Sequence, residues 1–176
     1  MSTSTQVELD TGRTLDEKLG RLEELLRSMV RVMVGYSGGV DSALLAVAAH
    51  RVLGVDAIAV TAESESYPAG ELEMASALMH QFGIRHEVVR TSELENPNYA
   101  SNPIDRCYFC KQDLFSHLHE LAKQLEVPYI LYGQIVDDMG DFRPGAMAAR
   151  DSGVRAPLQE AGFTKQDIRE LARSWG

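Results

Sequence analysis

The chain predicts an α/β fold, three layers of helix, sheet and helix around a mainly parallel five-stranded sheet. Short apolar, β-branched runs alternate with segments whose apolar residues recur every three or four positions. Strands alternating with helices in this way pair in parallel and are covered on both faces. The run Val30-Arg31-Val32-Met33-Val34-Gly35-Tyr36 leads without a spacer into Ser37-Gly38-Gly39-Val40-Asp41-Ser42 and then into Ala43-Leu44-Leu45-Ala46-Val47-Ala48. Strand, glycine turn and apolar helix therefore follow one another directly. With 176 residues, 44% of them hydrophobic, the chain has enough apolar surface for one real core.

The elements can be justified in order. Residues 1–13 read as a flexible polar leader, and 14–176 as one domain. Leu15, Leu19, Leu22, Leu26 and Met29 recur at spacings of four and three, which predicts a helix over 15–29 with one buried stripe. After the first strand and the helix behind its glycine turn, residues 55–61 form a second strand, with Glu63 and Ser64 in the loop that follows. Leu72, Ala75, Leu78, Met79 and Phe82 predict a helix behind Pro68, ended by Gly83. Residues 86–90 are a third strand. The connection 91–106, with two prolines and three asparagines, is long enough to be a working loop. Leu114, Leu118, Leu121 and Leu125 predict a helix over 108–125, and residues 129–133 a fourth strand. A polar loop over 137–145 and a short helix near 147–151 precede a marginal fifth strand over 154–158. Thr164 to Asp167 resembles a capping box with Asp in place of Glu, opening a last helix that contains Ile168 and Leu171.

Right-handed crossovers between parallel strands bring ligands to the carboxyl ends of the strands. The glycine turn and the loops after strands two, three and four all leave that edge. Bulk properties narrow the partners. Seventeen Lys and Arg against 26 Asp and Glu leave a formal charge of −9, which opposes non-specific attraction to a nucleic-acid backbone; no nucleic-acid partner is expected. No apolar run approaches the ~20 residues of a spanning helix, and the polar start lacks the charged and apolar regions of a signal peptide. A cytoplasmic protein with no membrane partner is expected.

The adjacent Gly38 and Gly39 permit backbone angles at which consecutive N–H groups turn inward as an anion nest, and the helix that follows adds its dipole and its free first-turn donors. A Walker-type loop needs a lysine at G-x-x-x-x-G-K-[ST], and a dinucleotide fold needs G-x-G-x-x-G; neither pattern opens this helix. Ser-Gly-Gly-x-Asp-Ser instead resembles, at every fixed position, the PP-loop of enzymes that cut ATP between its α and β phosphates, such as GMP, NAD and asparagine synthetases and tRNA-thiolating enzymes. The resemblance implies the adenine nucleotide α-hydrolase-like fold. It also implies that the backbone of Gly38 and Gly39 and the hydroxyls of Ser37 and Ser42 cradle pyrophosphate, while Asp41 assists Mg²⁺ or orients the phosphates. Tyr36 and Gly133 join that ATP site, and Glu63 and Ser64 bring backbone groups to adenine.

The chain's two cysteines, Cys107 and Cys110, stand at i and i+3 near a helix start, where thiolates are favoured. The spacing suits a soft metal, but two thiols fall short of the usual four ligands of zinc or an iron–sulfur cluster; two inert helix cysteines are the bland alternative. Cys107-Tyr108-Phe109-Cys110-Lys111, Gly140-Asp141-Phe142-Arg143-Pro144-Gly145, Asn96-Pro97 and Arg155-Ala156-Pro157-Leu158-Gln159-Glu160-Ala161-Gly162 resemble the LarE family. These are ATP-dependent sulfur transferases of nickel-pincer nucleotide biosynthesis. The resemblance implies adenylation of a carboxylate of pyridinium-3,5-biscarboxylic acid mononucleotide, release of pyrophosphate, and insertion of sulfur. It further implies that Cys107 and Cys110 hold part of a [4Fe–4S] cluster carrying an extra sulfide, with the third cysteine in a stretch beyond Gly176 and a second, smaller domain absent from this chain. Lys111 would neutralise the acyl-adenylate phosphate and Arg143 would grip carboxylate or phosphate. Asp137, Asp138 and Asp141 are weighed as Mg²⁺ helpers against a solvated acidic loop. Gln134-Ile135-Val136 departs from the family's pattern. A homo-oligomer is implied by the family alone. The alternatives are another PP-loop enzyme, a tRNA thiolase or amidotransferase-like synthetase, and a non-catalytic ATP-binding module.

Overall fold

A computed structural model describes residues 12–63, 68, 70–91, 106–138 and 153–176, with positions 106–111 described by backbone alone. Helix α1, Leu15–Met29, opens on a complete capping box. The Thr14 hydroxyl accepts from Glu17 N at 3.3 Å, and the Glu17 carboxylate accepts from Thr14 N at 3.0 Å. Two first-turn donors are thereby satisfied at once. The predicted stripe is buried at Leu22, Leu26 and Met29. Val30, at φ 65°, ends the helix and turns the chain into β1, Val32–Gly35.

β1 pairs in parallel with β2, Ala57–Glu63, and with β4, Tyr129–Tyr132; β2 pairs in parallel with β3, Arg85–Arg90, giving the order β3-β2-β1-β4. Side chains alternate between two cores as the pleat requires. Val32, Val34, Ala57 and Ala59 face one core with α1, α2 (Val40–Leu53) and α3 (Glu71–Gln81); Met33, Ile58 and Val60 face the other, with Phe115, Leu118 and Ala122 of α4 (Arg106–Gln124). The helices that connect β1 to β2 and β2 to β3 thus share one face, and the helix between β3 and β4 crosses the other. The chain reverses its direction of travel across the sheet at β1, which puts the topological switch point between β1 and β4. α2 is buried over Ser42–Ala49, as expected of a helix sandwiched between the sheet, α1 and the last helix.

The expected fifth strand over 154–158 is not formed, so the described residues hold four strands. Arg155 makes a single parallel bridge to Leu131, donating N–H to Ile130 O at 2.9 Å and accepting from Tyr132 N at 3.0 Å. Pro157 then starts the short helix α5, Pro157–Glu160: it has no N–H for a ladder, and its fixed φ suits a helix's first turn. β2 runs two residues past the expected 61, because its pairing with β3 extends to Glu63 opposite Arg90. The helix near 147–151 and most of the leader fall outside the described residues.

Helix α6, Lys165–Trp175, has the predicted capping box between Thr164 and Asp167, and buries Ile168 and Leu171. Its far end meets α2, where the Arg51 guanidinium lies 4.0 Å from the centre of the Trp175 ring. Its start is joined to α1: the ammonium of Lys18, buried on the stripe of Leu22 and Leu26, lies 2.6 Å from Asp167 Oδ2. Burial pushes the Asp167 carboxyl up, but hydrogen bonds from Lys18 and Thr164 outweigh it and hold the group below its ordinary range. A carboxylate depressed in the folded state stabilises the fold above its unfolded value, about 4, and the contribution is lost as pH falls through the lower folded value. Urea midpoints should therefore fall more steeply with acidification below about pH 4 in the parent chain than in Asp167→Asn. Parallel curves would show that Asp167 contributes nothing.

Candidate functional site

The carboxyl end of β1 is clamped before the glycine turn begins. Tyr36, 3% exposed, donates its N–H to Val60 O at 2.8 Å, and its carbonyl accepts from Thr61 Oγ1 at 2.9 Å. The Thr61 hydroxyl has one proton and gives it to Tyr36, so His86 Nε2, 2.7 Å from the same oxygen, is the donor to it. The His86 ring meets Tyr36 edge to face at 5.9 Å. Burial lowers the His86 pKa against the opposing pull of Glu87, which keeps the ring neutral near pH 7.

Ser37, Gly38 and Gly39 are exposed, and Gly38 takes φ 88°, a conformation that favours glycine. Ser42 is buried beneath them. Its hydroxyl lies 3.2 Å from Ser37 N, from Ser37 Oγ and from Gly39 O, tying the two ends of the turn together. Gly39 is the N-cap of α2 and provides no side-chain cap. No side chain caps the first turn of α2, and the exposed turn of Ser37, Gly38 and Gly39 stands at the positive end of its dipole. That is the arrangement an anion needs.

Gly133, just past β4, stands against the same turn. A Cβ there would lie 2.7 Å from Ser42 N and 2.9 Å from Ser42 Cα. Only a residue without a side chain lets the chain leaving β4 come this close to α2, so Gly133 meets the first turn of that helix through its backbone. On the other side, the Lys165 ammonium, at the start of α6, lies 2.7 Å from Asp41 Oδ1, and Lys165 N–H donates to Asp137 Oδ2 at 3.3 Å. The Asp138 carboxylate accepts instead from Ile135 N at 3.0 Å. Asp41 and Asp137, far apart in sequence, thus meet one residue, Asp41 through its ammonium and Asp137 through its backbone N–H. Lys165 was missed by sequence reasoning. The capping box fixes it at the first helical position, but only the packing of α6 reveals what it faces.

The other expected residues divide by location. Glu63 is at the end of β2, its carbonyl accepting from Thr91 N at 2.8 Å and its carboxylate 3.6 Å from Arg90 Nε. Cys107 and Cys110 lie in the first turns of α4 by backbone. Among the described residues no group of three or more His, Cys, Asp or Glu side chains could hold a metal ion. Ser64, Asp141 and Arg143, and the side chain of Lys111, fall outside the described part.

A parallel switch-point sheet whose first strand feeds Ser-Gly-Gly-x-Asp-Ser into an uncapped helix defines a PP-loop nucleotide domain, and residues 21–101 match the NAD synthase family. A solved structure of an NMN synthetase from Francisella tularensis superposes with a TM-score of 0.73 over 92% of this chain and 71% of that one, at 19% identity, which establishes the fold. Within that class the chain is similar to a protein named pyridinium-3,5-bisthiocarboxylic acid mononucleotide synthase. It is 35% identical to that synthase from Lactiplantibacillus plantarum over 93% of this chain and 59% of the relative. An uncharacterized protein of Synechocystis is 44% identical over 92% of this chain and 60% of its own length. The chain spans about three-fifths of these curated relatives.

Adding a methyl group at Gly133 tests the close approach. Gly133→Ala should displace the first turn of α2, costing about 1–3 kcal/mol of stability and weakening inorganic pyrophosphate binding in calorimetry by about tenfold or more. Unchanged affinity and unfolding midpoint would show that the contact yields freely.

Proposed function

We propose that this chain is the ATP-binding and carboxylate-activating part of a sulfur-transferring synthase acting on pyridinium-3,5-biscarboxylic acid mononucleotide. The observation that carries the reading is the exposed turn Ser37-Gly38-Gly39 at the start of a helix without a side-chain cap, with the Lys165–Asp41 ion pair on that helix's first turn, in a chain 35% identical to a protein named as a synthase of the bisthiocarboxylic acid mononucleotide.

A carboxylate resists a sulfur nucleophile because its leaving oxygen would depart as an anion of high basicity. Attack of that oxygen on the α-phosphorus of ATP forms a C–O–P linkage and breaks the bond to the β-phosphate; AMP then becomes the leaving group. The protein's task is to receive the charge that builds on the departing pyrophosphate. In this reading main-chain donors of Gly38, Gly39 and the first turn of α2 receive it, and donors fixed by the fold need little reorganisation. The Ser42 hydroxyl keeps the turn closed, and the Tyr36 peptide, held by Val60 and Thr61, fixes where it starts. Lys165 can release Asp41 to meet the phosphates, while Asp41, an oxygen ligand, suits the Mg²⁺ that ATP brings with it. Glu63, Ser64 and Tyr36 stand or follow at the strand ends where adenine would lie. Lys111 and Arg143 are assigned to the acyl-adenylate phosphate and the acceptor's carboxylate or phosphate, on their motif matches.

Cys107 and Cys110 fit part of a ligand set for a [4Fe–4S] cluster. They supply two thiolates one helical turn apart, and the remaining ligands must come from outside this chain's two cysteines. Such a cluster would supply the sulfide. Anaerobic reconstitution with iron and sulfide should give charge-transfer absorbance that Cys107→Ser and Cys110→Ser each remove. Equal absorbance in both variants would place the metal elsewhere.

The phosphate chemistry is tested on the chain itself by calorimetry with MgATP. The parent should bind, and Asp41→Ala and Lys165→Met should each weaken binding about tenfold or more, the worth of a charge-assisted contact. A folded parent without affinity for MgATP would overturn the reading.

A further inference from the structure

We infer that Lys18, on a helix that precedes the whole sheet, is a positioning residue for the phosphate site. It fixes the start of α6 so that Lys165 meets Asp41. Its use in phosphate binding rests on the function proposed above; the positioning itself does not.

Lys18 occupies the core side of α1, one turn before Leu22 and two before Leu26, and is only 7% exposed. Lysine is almost never buried this far without a partner. A buried ion pair brings little net stability over a well-packed apolar pair, so a leucine would serve packing as well. What the lysine adds is direction. Asp167 Oδ2 accepts from Lys18 Nζ at 2.6 Å, from Thr164 N at 2.9 Å and from Thr164 Oγ1 at 2.9 Å. The Thr164 hydroxyl in turn accepts from Asp167 N at 3.2 Å. One carboxylate oxygen therefore joins α1 to the N-cap of α6.

The residue after that cap is Lys165. Its N–H reaches Asp137 and its ammonium reaches Asp41, so the angle at which the capped turn leaves α1 determines where the ammonium emerges. A second tie sets the same angle. Arg21 Nε donates to Glu160 O at 3.1 Å, and Lys18 and Arg21, three residues apart, lie on one side of α1. The segment between α5 and α6 is clipped at both ends to one helix face. Lysine 18 thus acts on the nest through Asp167, Thr164 and Lys165 in series, without touching it.

The test needs no ligand in its first arm. Urea unfolding of Asp41→Asn, Lys165→Met and the double variant measures the coupling between the pair. That coupling should be present in the parent and absent in a Lys18→Met background; equal coupling in both backgrounds would overturn the inference. In the second arm, calorimetry with inorganic pyrophosphate should show Lys18→Met about two- to fivefold weaker than the parent, the scale of one partly screened ion pair. Lys18→Arg should recover the affinity, and Lys18→Met should add nothing to Lys165→Met. Parent-like binding by Lys18→Met, or full additivity with Lys165→Met, would overturn it. If Lys18→Met does not fold, Asp167→Asn keeps an acceptor for Thr164, removes the anion, and should give the same pattern. A parent chain that ignores pyrophosphate would sink the phosphate-site reading, and the unfolding cycle would then decide the positioning alone.

Discussion

The contact on which the rest depends is between two pieces of backbone. The chain leaving β4 at Gly133 lies against the first turn of α2 so tightly that a methyl group would overlap Ser42 N. That approach fixes the start of α2 beside the paired carboxyl ends of β1 and β4, where the topology switches. Every polar feature of the site is arranged around this junction. Tyr36 is held from β2 just before the glycine turn, and Ser42 closes the turn from beneath.

Charge at the site runs against the charge of the chain. A protein of net charge −9 repels a polyphosphate at long range, so the binding proposed here would rest on short-range donors that screening does not weaken. The glycine turn would provide these from the main chain, where they cannot be titrated away. Lys165 is in direct contact with the loop's helix through its ion pair with Asp41. A phosphate and its Mg²⁺ would exchange partners with this pair, ammonium to phosphate and carboxylate to metal, so that neither charge is left alone before or after binding.

The same economy of contacts links distant parts of the chain. α1 lies outside the repeating pattern of strand and crossover helix, yet it supplies buried Leu22 and Leu26 to the core around α2 and two polar ties to the segment that presents Lys165. Packing and positioning come from one helix face because apolar and charged residues alternate along a single stripe. A helix that only filled space would need no lysine there.

Most of the elements, in their order, and the glycine turn between the first strand and its helix are legible in the amino-acid sequence. The apolar periods of α1 and α4, the two capping boxes and the Ser-Gly-Gly-x-Asp-Ser turn are local features, encoded within a few residues and read without knowing what lies nearby. The chain's likeness to LarE was legible in the same short motifs. Three features depend on contacts between distant parts of the chain. Residues 154–158 carry a strand-like composition, but one bridge to Leu131 is all that forms before Pro157 removes a donor and turns the chain into a helix. Gly133 matters because of Ser42, 91 positions earlier, and no local pattern carries that. Lys165 becomes part of the site only because α6 packs across α2 and α1. Local sequence sets backbone preference through sterics and hydrogen bonds to near neighbours, whereas a site is made by residues brought together through burial of surfaces far apart in the chain.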